Sequence, residues 1–314
     1  MHRWSVHTWK GFCTIPQENK LMQEDLPREA LKHPFLLHGM FASAALDLAT
    51  SCQNNASKAA RYAQEALKYY NTSSGEFRRE LDKLRPEIVH LLFVHAALGA
   101  SACLVIPQSM PAIGERDPWT TATQRVISFF SMAIGATTII KTYRADFDKA
   151  FPSVGAVRDL IGPSSLRFLA IRDKSALDLI ATIATRSHNR YDDGQLLPRN
   201  DMYSRAIEWL MICFAAQAQG SVKGYFMSFP EFCGPRFLLA VKERDSMALL
   251  LLMYWGVLLH RSRTYYWWVG STGRQLNEEV STVLLALPFS KQAGVSEAVS
   301  WAVRQTCQEE QCNK

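Results

Sequence analysis

Residues 32–49, KHPFLLHGMFASAALDLA, constrain the fold of this chain more than any other stretch. Apolar side chains at Phe35, Leu36, Met40, Phe41, Ala44, Leu48 and Ala49 follow the i, i+3, i+4 rhythm of a buried helical face. Pro34 suits the first turn, where its missing N–H costs nothing. Gly39, Ala42, Ser43, Ala44 and Ala45 leave room for a second helix to approach closely. Such a segment has to be covered by other helices, and it carries none of the residue sets that chemistry usually needs. It reads as scaffold.

The rest of the chain is helical in pattern as well. Alanines and leucine at helical spacing predict a helix over residues 56–70, the Asn71 to Gly75 stretch reads as a stop, and residues 76–84 start a new charged helix. Pro86 opens an apolar helix. Pro107, Pro111, Gly114 and Pro118 mark residues 105–119 as a loop. Further helices are predicted over 120–147, 175–186, 202–219, 235–259 and 273–287. No alternating strand pattern of useful length appears, and no fixed repeat is visible. The expectation is an all-α protein, a single large helical domain of packed antiparallel helices over residues 1–314. At 314 residues the chain exceeds the usual ~100–200 residues of one domain, yet no Gly/Ser/Pro-rich linker divides it. Its 48% hydrophobic content is enough for a sizeable core.

Charge and cysteine usage narrow the function. The net charge of +6 arises from 35 basic against 29 acidic residues and is spread along the chain. The densest basic groups, Arg78, Arg79, Lys83 and Arg85, then Arg261 and Arg263, are diluted by acidic or apolar neighbours. They read as solvated faces rather than a nucleic-acid surface, so no direct DNA contact is expected. Seven cysteines, at 13, 52, 103, 213, 233, 307 and 312, show no paired metal-binding spacing, and reduced thiols are the default expectation. Residues 88–106 form the longest apolar run and have the length of a minimal membrane span. His90 and His95 argue for burial inside an α-protein instead, because histidine costs free energy in hydrocarbon. Residues 126–140 and 247–259 are too short to cross, so no membrane span is expected.

Catalytic signals are weak. There is no G-x-S-x-G elbow, phosphate loop, dinucleotide fingerprint or H-E-x-x-H pair. Residues 200–208, NDMYSRAIE, put Asn200, Ser204 and Glu208 on one helix face, as class I terpene synthases do for magnesium. Asp192 and Asp193 lie too close in sequence to form the opposing wall, and Asp146 and Asp148 are isolated. An exposed helix start capped by Asn200 or Asp201 explains the pattern. His33, His38, His90 and His95 sit in or beside apolar helices, and each reads as a satisfied core or boundary histidine. No catalytic residue, metal ligand or cofactor is therefore assigned. A helical terpenoid-processing enzyme is retained as the enzyme alternative.

Five segments carry a resemblance. MHRWSVHTWKGF at residues 1–12, EDLPREAL at 24–31 and HPFLLHGMFASAALDLA at 33–49 resemble the opening of the regulatory domain that follows the zinc cluster in fungal transcription factors of the sterol uptake control type. FFSMAIGATTII at 129–140 and FLLAVKERDSMALLLLMYWGVLLHRSRTYYWWVGSTGRQL at 237–276 resemble that domain's central helix and C-terminal signature, in the same order. Asp47 stands where the family usually has histidine. The zinc cluster needs six cysteines within about thirty residues, and this chain has nothing like it.

The resemblance implies a transcription regulator of the nucleus, able to shuttle from the cytoplasm, that controls gene expression, for example of a metabolic gene set. It also implies a sterol or similar lipid in a pocket built partly from residues 247–273. Aromatic walls with a glycine turn can enclose a flat apolar molecule, which makes Met253, Trp255, Leu258, Tyr265, Trp267, Trp268 and Gly270 the candidate ligand-binding residues. Read from the residues alone, the stretch is equally an ordinary core with an aromatic turn. Without a zinc cluster, action through a DNA-bound partner factor or as a homodimer is the alternative.

Overall fold

The computed structural model describes residues 1–52, 55–109, 121–152, 160–188 and 198–307. Among them every regular element is helical and no strand occurs, so the all-α expectation holds. The chain divides into two compact units made of interleaved segments. One comprises residues 1–120, 124–160 and 263–270; the other comprises 121–123, 161–262 and 271–314. The chain passes between them several times, which is why no linker composition marks a boundary.

In the first unit, α1 (His2–Val6) and α2 (Leu26–Ala30) precede α3 (Pro34–Ser51) and α4 (Ala56–Leu81). Then follow α5 (Val89–Ser109), α6 (Ala122–Thr142) and α7 (Arg144–Ala150). Pro34 occupies the first turn of α3, and Gly39, Ala42, Ser43, Ala44 and Ala45 are all buried, as their size requires. Antiparallel pairing of α3 and α4 follows from the order of their contacts: Phe35 with Phe77, His38 with Glu76, Phe41 with Tyr69. Asn55 caps α4 by accepting from the Lys58 backbone N–H at 2.9 Å.

Helix α4 runs unbroken through residues 71–75, where the sequence suggested a stop. Gly75 costs about 1 kcal/mol in a helix interior, but tertiary contacts around it outweigh that. Ser73 turns inward and donates to the Phe35 carbonyl at 2.7 Å, while Thr72 donates to the Lys68 carbonyl within the helix. Helix α5 continues to Ser109, past the expected start of a loop at residue 105, because one proline removes one hydrogen bond without ending a helix. The remainder of that expected loop lies outside the described residues. The helix expected over 120–147 is two, α6 and α7, bent by 101° where Tyr143 leaves helical geometry.

Among the described residues, Pro86–Ile106 is the helix long and apolar enough to cross a membrane. Most of it is buried inside the unit. Ile88, Val89, Leu91, Leu92, Val94 and Leu98 share a core with Trp4, Phe35, Leu36, Met40 and Phe147.

The second unit contains α8 (Ile171–His188), α9 (Pro198–Gln219), α10 (Phe229–Lys242), α11 (Ser246–Arg261), α12 (Thr272–Ala286) and α13 (Val295–Cys307). Its axis is α11, buried at every position from Met247 to His260. The single helix expected over 235–259 is broken before Ser246: Arg244 takes a left-handed conformation (φ 57°), and Asp245 caps α11 by accepting from the Met247 and Ala248 backbone N–H groups, both at 3.0 Å. Helix α12 runs antiparallel to α11, with Asn277 beside Gly256 and Gly273 beside His260. A Cβ on Gly273 would stand 2.5 Å from the Gly256 carbonyl oxygen and 2.6 Å from the His260 backbone nitrogen, so only glycine permits this approach. At its far end Arg261 forks onto Asp173 of α8 at 2.8 and 3.0 Å and donates to Gln305 of α13 at 2.5 Å. This bidentate pair fixes three helices together.

Candidate functional site

The candidate residues from α11 and from the following turn fall in different units. Met253, Trp255 and Leu258 are fully buried in the second unit. Trp255 donates its indole N–H to the Phe226 carbonyl at 3.0 Å. Beside it, Tyr254 stacks on Trp301 at 4.8 Å and donates to the Ala176 carbonyl at 3.3 Å. These contacts build a buried core around α11.

Tyr265, Trp267, Trp268 and Gly270 belong to the first unit, where the segment 263–270 meets the N-terminal residues. Trp268 donates to the Gly11 carbonyl at 2.6 Å, Trp267 to the Thr8 carbonyl at 3.2 Å, and Tyr266 to the Cys13 carbonyl at 3.4 Å. The rings interlock too. Trp268 stacks on Phe129 at 6.2 Å, Phe12 meets Trp267 edge-on at 6.1 Å, and Trp4 stacks on Phe12 at 5.7 Å. Gly11 is small for a reason: a Cβ there would stand 2.5 Å from the Trp267 ring.

An indole N–H buried without an acceptor would cost free energy. Trp4 meets that need at the Met22 carbonyl (2.8 Å) and Trp9 at the Ser5 carbonyl (3.1 Å). Trp4, Tyr266 and Trp268 are sealed from solvent, whereas Trp267 is half-buried and Tyr265 is 57% exposed. Gly270, exposed at φ 52°, supplies the turn out of the cluster. Burial pushes the Cys13 thiol up to about 12, with Glu18 adding to the effect, so it is neutral at physiological pH.

Next to the aromatic cluster lies a polar anchor that sequence reading missed. Asp47 of α3 is buried and accepts four hydrogen bonds from the N-terminal segment: Arg3 Nε at 2.8 Å, Arg3 Nη2 at 2.9 Å, His7 Nδ1 at 2.9 Å and Thr8 Oγ1 at 2.7 Å. Its position as a departure from the resembled motif was visible, but its partners lie some forty residues away in sequence. A buried carboxylate needs such donors, and here they tie residues 3–8 to the scaffold helix.

A second buried polar site lies between α3, α4 and α5. His95 Nε2 is 2.6 Å from Ser73 Oγ, which already donates its proton to the Phe35 carbonyl. Nε2 therefore carries the hydrogen, and Nδ1 has no hydrogen-bond partner among the described residues. The ring stacks on Phe77 at 4.3 Å, and burial lowers its pKa to about 4. His95 is thus the core histidine that the sequence suggested, though satisfied at one nitrogen only. His38 differs, being half-buried and paired with Glu76 at 2.7 Å.

Ser204 and Glu208 are exposed. Helix α9 is described from Pro198 onward, so Asn200 and Asp201 are helical residues rather than its cap. The Asn200 side chain, Asp192 and Asp193 lie outside the described residues. Among the described residues, no three His, Cys, Asp or Glu side chains converge as metal ligands would. Cys13, Cys52, Cys103, Cys213, Cys233 and Cys307 are free thiols, and Cys312 lies outside the described residues.

No family model, no curated protein and no solved structure matches this chain.

Proposed function

We propose that this chain is a regulatory domain of the kind found in fungal transcription factors of the sterol uptake control type, responding to a sterol or similar lipid and acting in the nucleus through a partner factor or as a homodimer. The observation that carries the reading is the joining of distant motifs. Residues 1–12, the α3 segment, the start of the 129–140 segment and the YYWW turn, which resemble that domain in order, meet in one unit. Trp268 alone touches two of them, Gly11 by hydrogen bond and Phe129 by stacking.

Tyr265 and Trp267 form the solvent edge of this cluster, and a flat apolar ligand would enter there. The buried rings already satisfy one another, so binding has to rearrange the edge rather than fill a rigid cavity. That coupling between occupancy and local packing is what a sensor requires.

The test is thermal unfolding of the purified chain with ergosterol and with cholesterol. A ligand of the native state at 100 times its Kd stabilises it by about 2.7 kcal/mol. A rise in Tm that is reduced by Tyr265→Ser is the expected result. The absence of any shift across both sterols and a set of fatty acids would remove the ligand from the reading.

A further inference from the structure

On the second unit, residues 163–174 hold an exposed surface that the ligand reading does not use. Leu166 and Phe168 are 40% and 39% exposed and Ile171 is 84% exposed, within six residues of one another. Arg167, Arg172 and Lys174 are exposed alongside them, and among the described residues none of the three has a carboxylate partner. Arg167 lies over the Phe168 ring at 4.8 Å, which holds both side chains at the surface. The acid between Arg172 and Lys174 in sequence, Asp173, is buried and committed to Arg261.

Local contacts hold this surface in place. Ser165 is buried beneath it, Leu169 N–H donates to the Leu166 carbonyl at 3.0 Å, and Lys174 N–H donates to the Ala170 carbonyl at 2.9 Å. The clamp between Asp173 and Arg261 fixes the first turn of α8. The dipole at the start of this 18-residue helix adds positive potential beside Arg172.

We propose that residues 166–174 dock an acidic, amphipathic protein segment, whose bulky apolar side chains cover Leu166, Phe168 and Ile171 while its carboxylates meet Arg167, Arg172 and Lys174. Charge complementarity selects this occupant. Three cations with no carboxylate partner among the described residues accompany three apolar side chains, and helix-in-surface recognition uses that combination. An anionic membrane is the weaker fit, because lipid-binding clusters typically gather about 4–8 basic residues. Two of the three apolar groups here are also more than half sunk into the unit.

The probe is a fluorescein-labelled 18-residue peptide with leucines at i, i+3, i+4 and i+7 and glutamates between them, titrated with the full chain by anisotropy. Saturable binding is expected, weakening as salt is raised and lost when lysines replace the glutamates. Ile171→Glu and the pair R167E/R172E should each reduce affinity tenfold or more, while Leu239→Ser, at an exposed leucine on α10, leaves it unchanged. Circular dichroism of these surface variants checks that the fold persists.

Any of these outcomes would overturn the proposal: no saturable binding; equal binding of the lysine peptide; or Ile171-dependent sedimentation with vesicles of 30% phosphatidylserine in phosphatidylcholine without peptide binding. Self-association abolished by Ile171→Glu, again without peptide binding, would identify a second copy as the occupant and overturn it too. The peptide test is independent of sterol binding, so either can fail alone.

Discussion

Two antiparallel hairpins, α3–α4 in the first unit and α11–α12 in the second, bury comparable helices by opposite means. The first holds polar groups inside: Asp47 with its donors, and Ser73 bridging the Phe35 carbonyl and His95. The second is close-packed around an almost wholly apolar helix, with Gly273 against the α11 backbone. The contrast teaches that the first should respond to charge and the second to size. A regulatory element is better placed on the first kind, because protonation and ligands act on polar groups.

The largest expected effect tests the size-sensitive hairpin. Gly273→Val puts side-chain atoms against backbone that cannot move aside, and should destabilise the chain by about 3 kcal/mol or more, read as a lowered urea midpoint. A loss under about 1 kcal/mol would show that α11 and α12 can separate at little cost and would erase the contrast.

The charge-sensitive hairpin is tested by pH. His95 has a folded pKa of about 4, below its ordinary 6.5, so the unfolded chain takes up the proton first. Stability contributed by neutral His95 is complete above pH 6.5 and is lost as pH falls from there toward 4. The loss reaches about 2 kcal/mol at pH 5. Comparing wild type with His95→Leu between pH 7.5 and 5 isolates it. Equal pH slopes in the two proteins would mean that His95 gains a partner when protonated.

Smallest is the effect at Gly75, an exposed position within α4 with open space where a Cβ would go. Gly75→Ala should stabilise the chain by about 0.5–1 kcal/mol, measured by thermal unfolding. Destabilisation instead would show that α4 needs flexibility at this point, closer to the stop that its sequence suggests.

Helical class was legible because apolar spacing repeats along the chain, and α3, α9 and α12 emerge close to their expected limits. Errors fell where a local signal met a tertiary one. The Asn71 to Gly75 stretch is a weak helix former, yet Ser73 has a buried acceptor waiting on α3. Between α10 and α11 the reverse happened: continuous apolar spacing hid the cap that Asp245 provides. In the candidate site, Trp267 and Trp268 were noticed for their aromatic density. Their partners Thr8, Gly11, Phe12 and Phe129 were not, because pairs separated by more than 130 residues leave no periodic trace.

By itself the sequence determined that this chain is built of helices and which faces those helices bury, since side-chain spacing along one helix is a local property. Only the tertiary structure decided that the N-terminal residues close over the YYWW turn, that Asp47 receives Arg3, His7 and Thr8, and that Leu166, Phe168 and Ile171 each keep part of their surface in solvent. Those outcomes depend on which distant groups desolvate together. That choice is made by the packing of the whole unit and is written in no single segment.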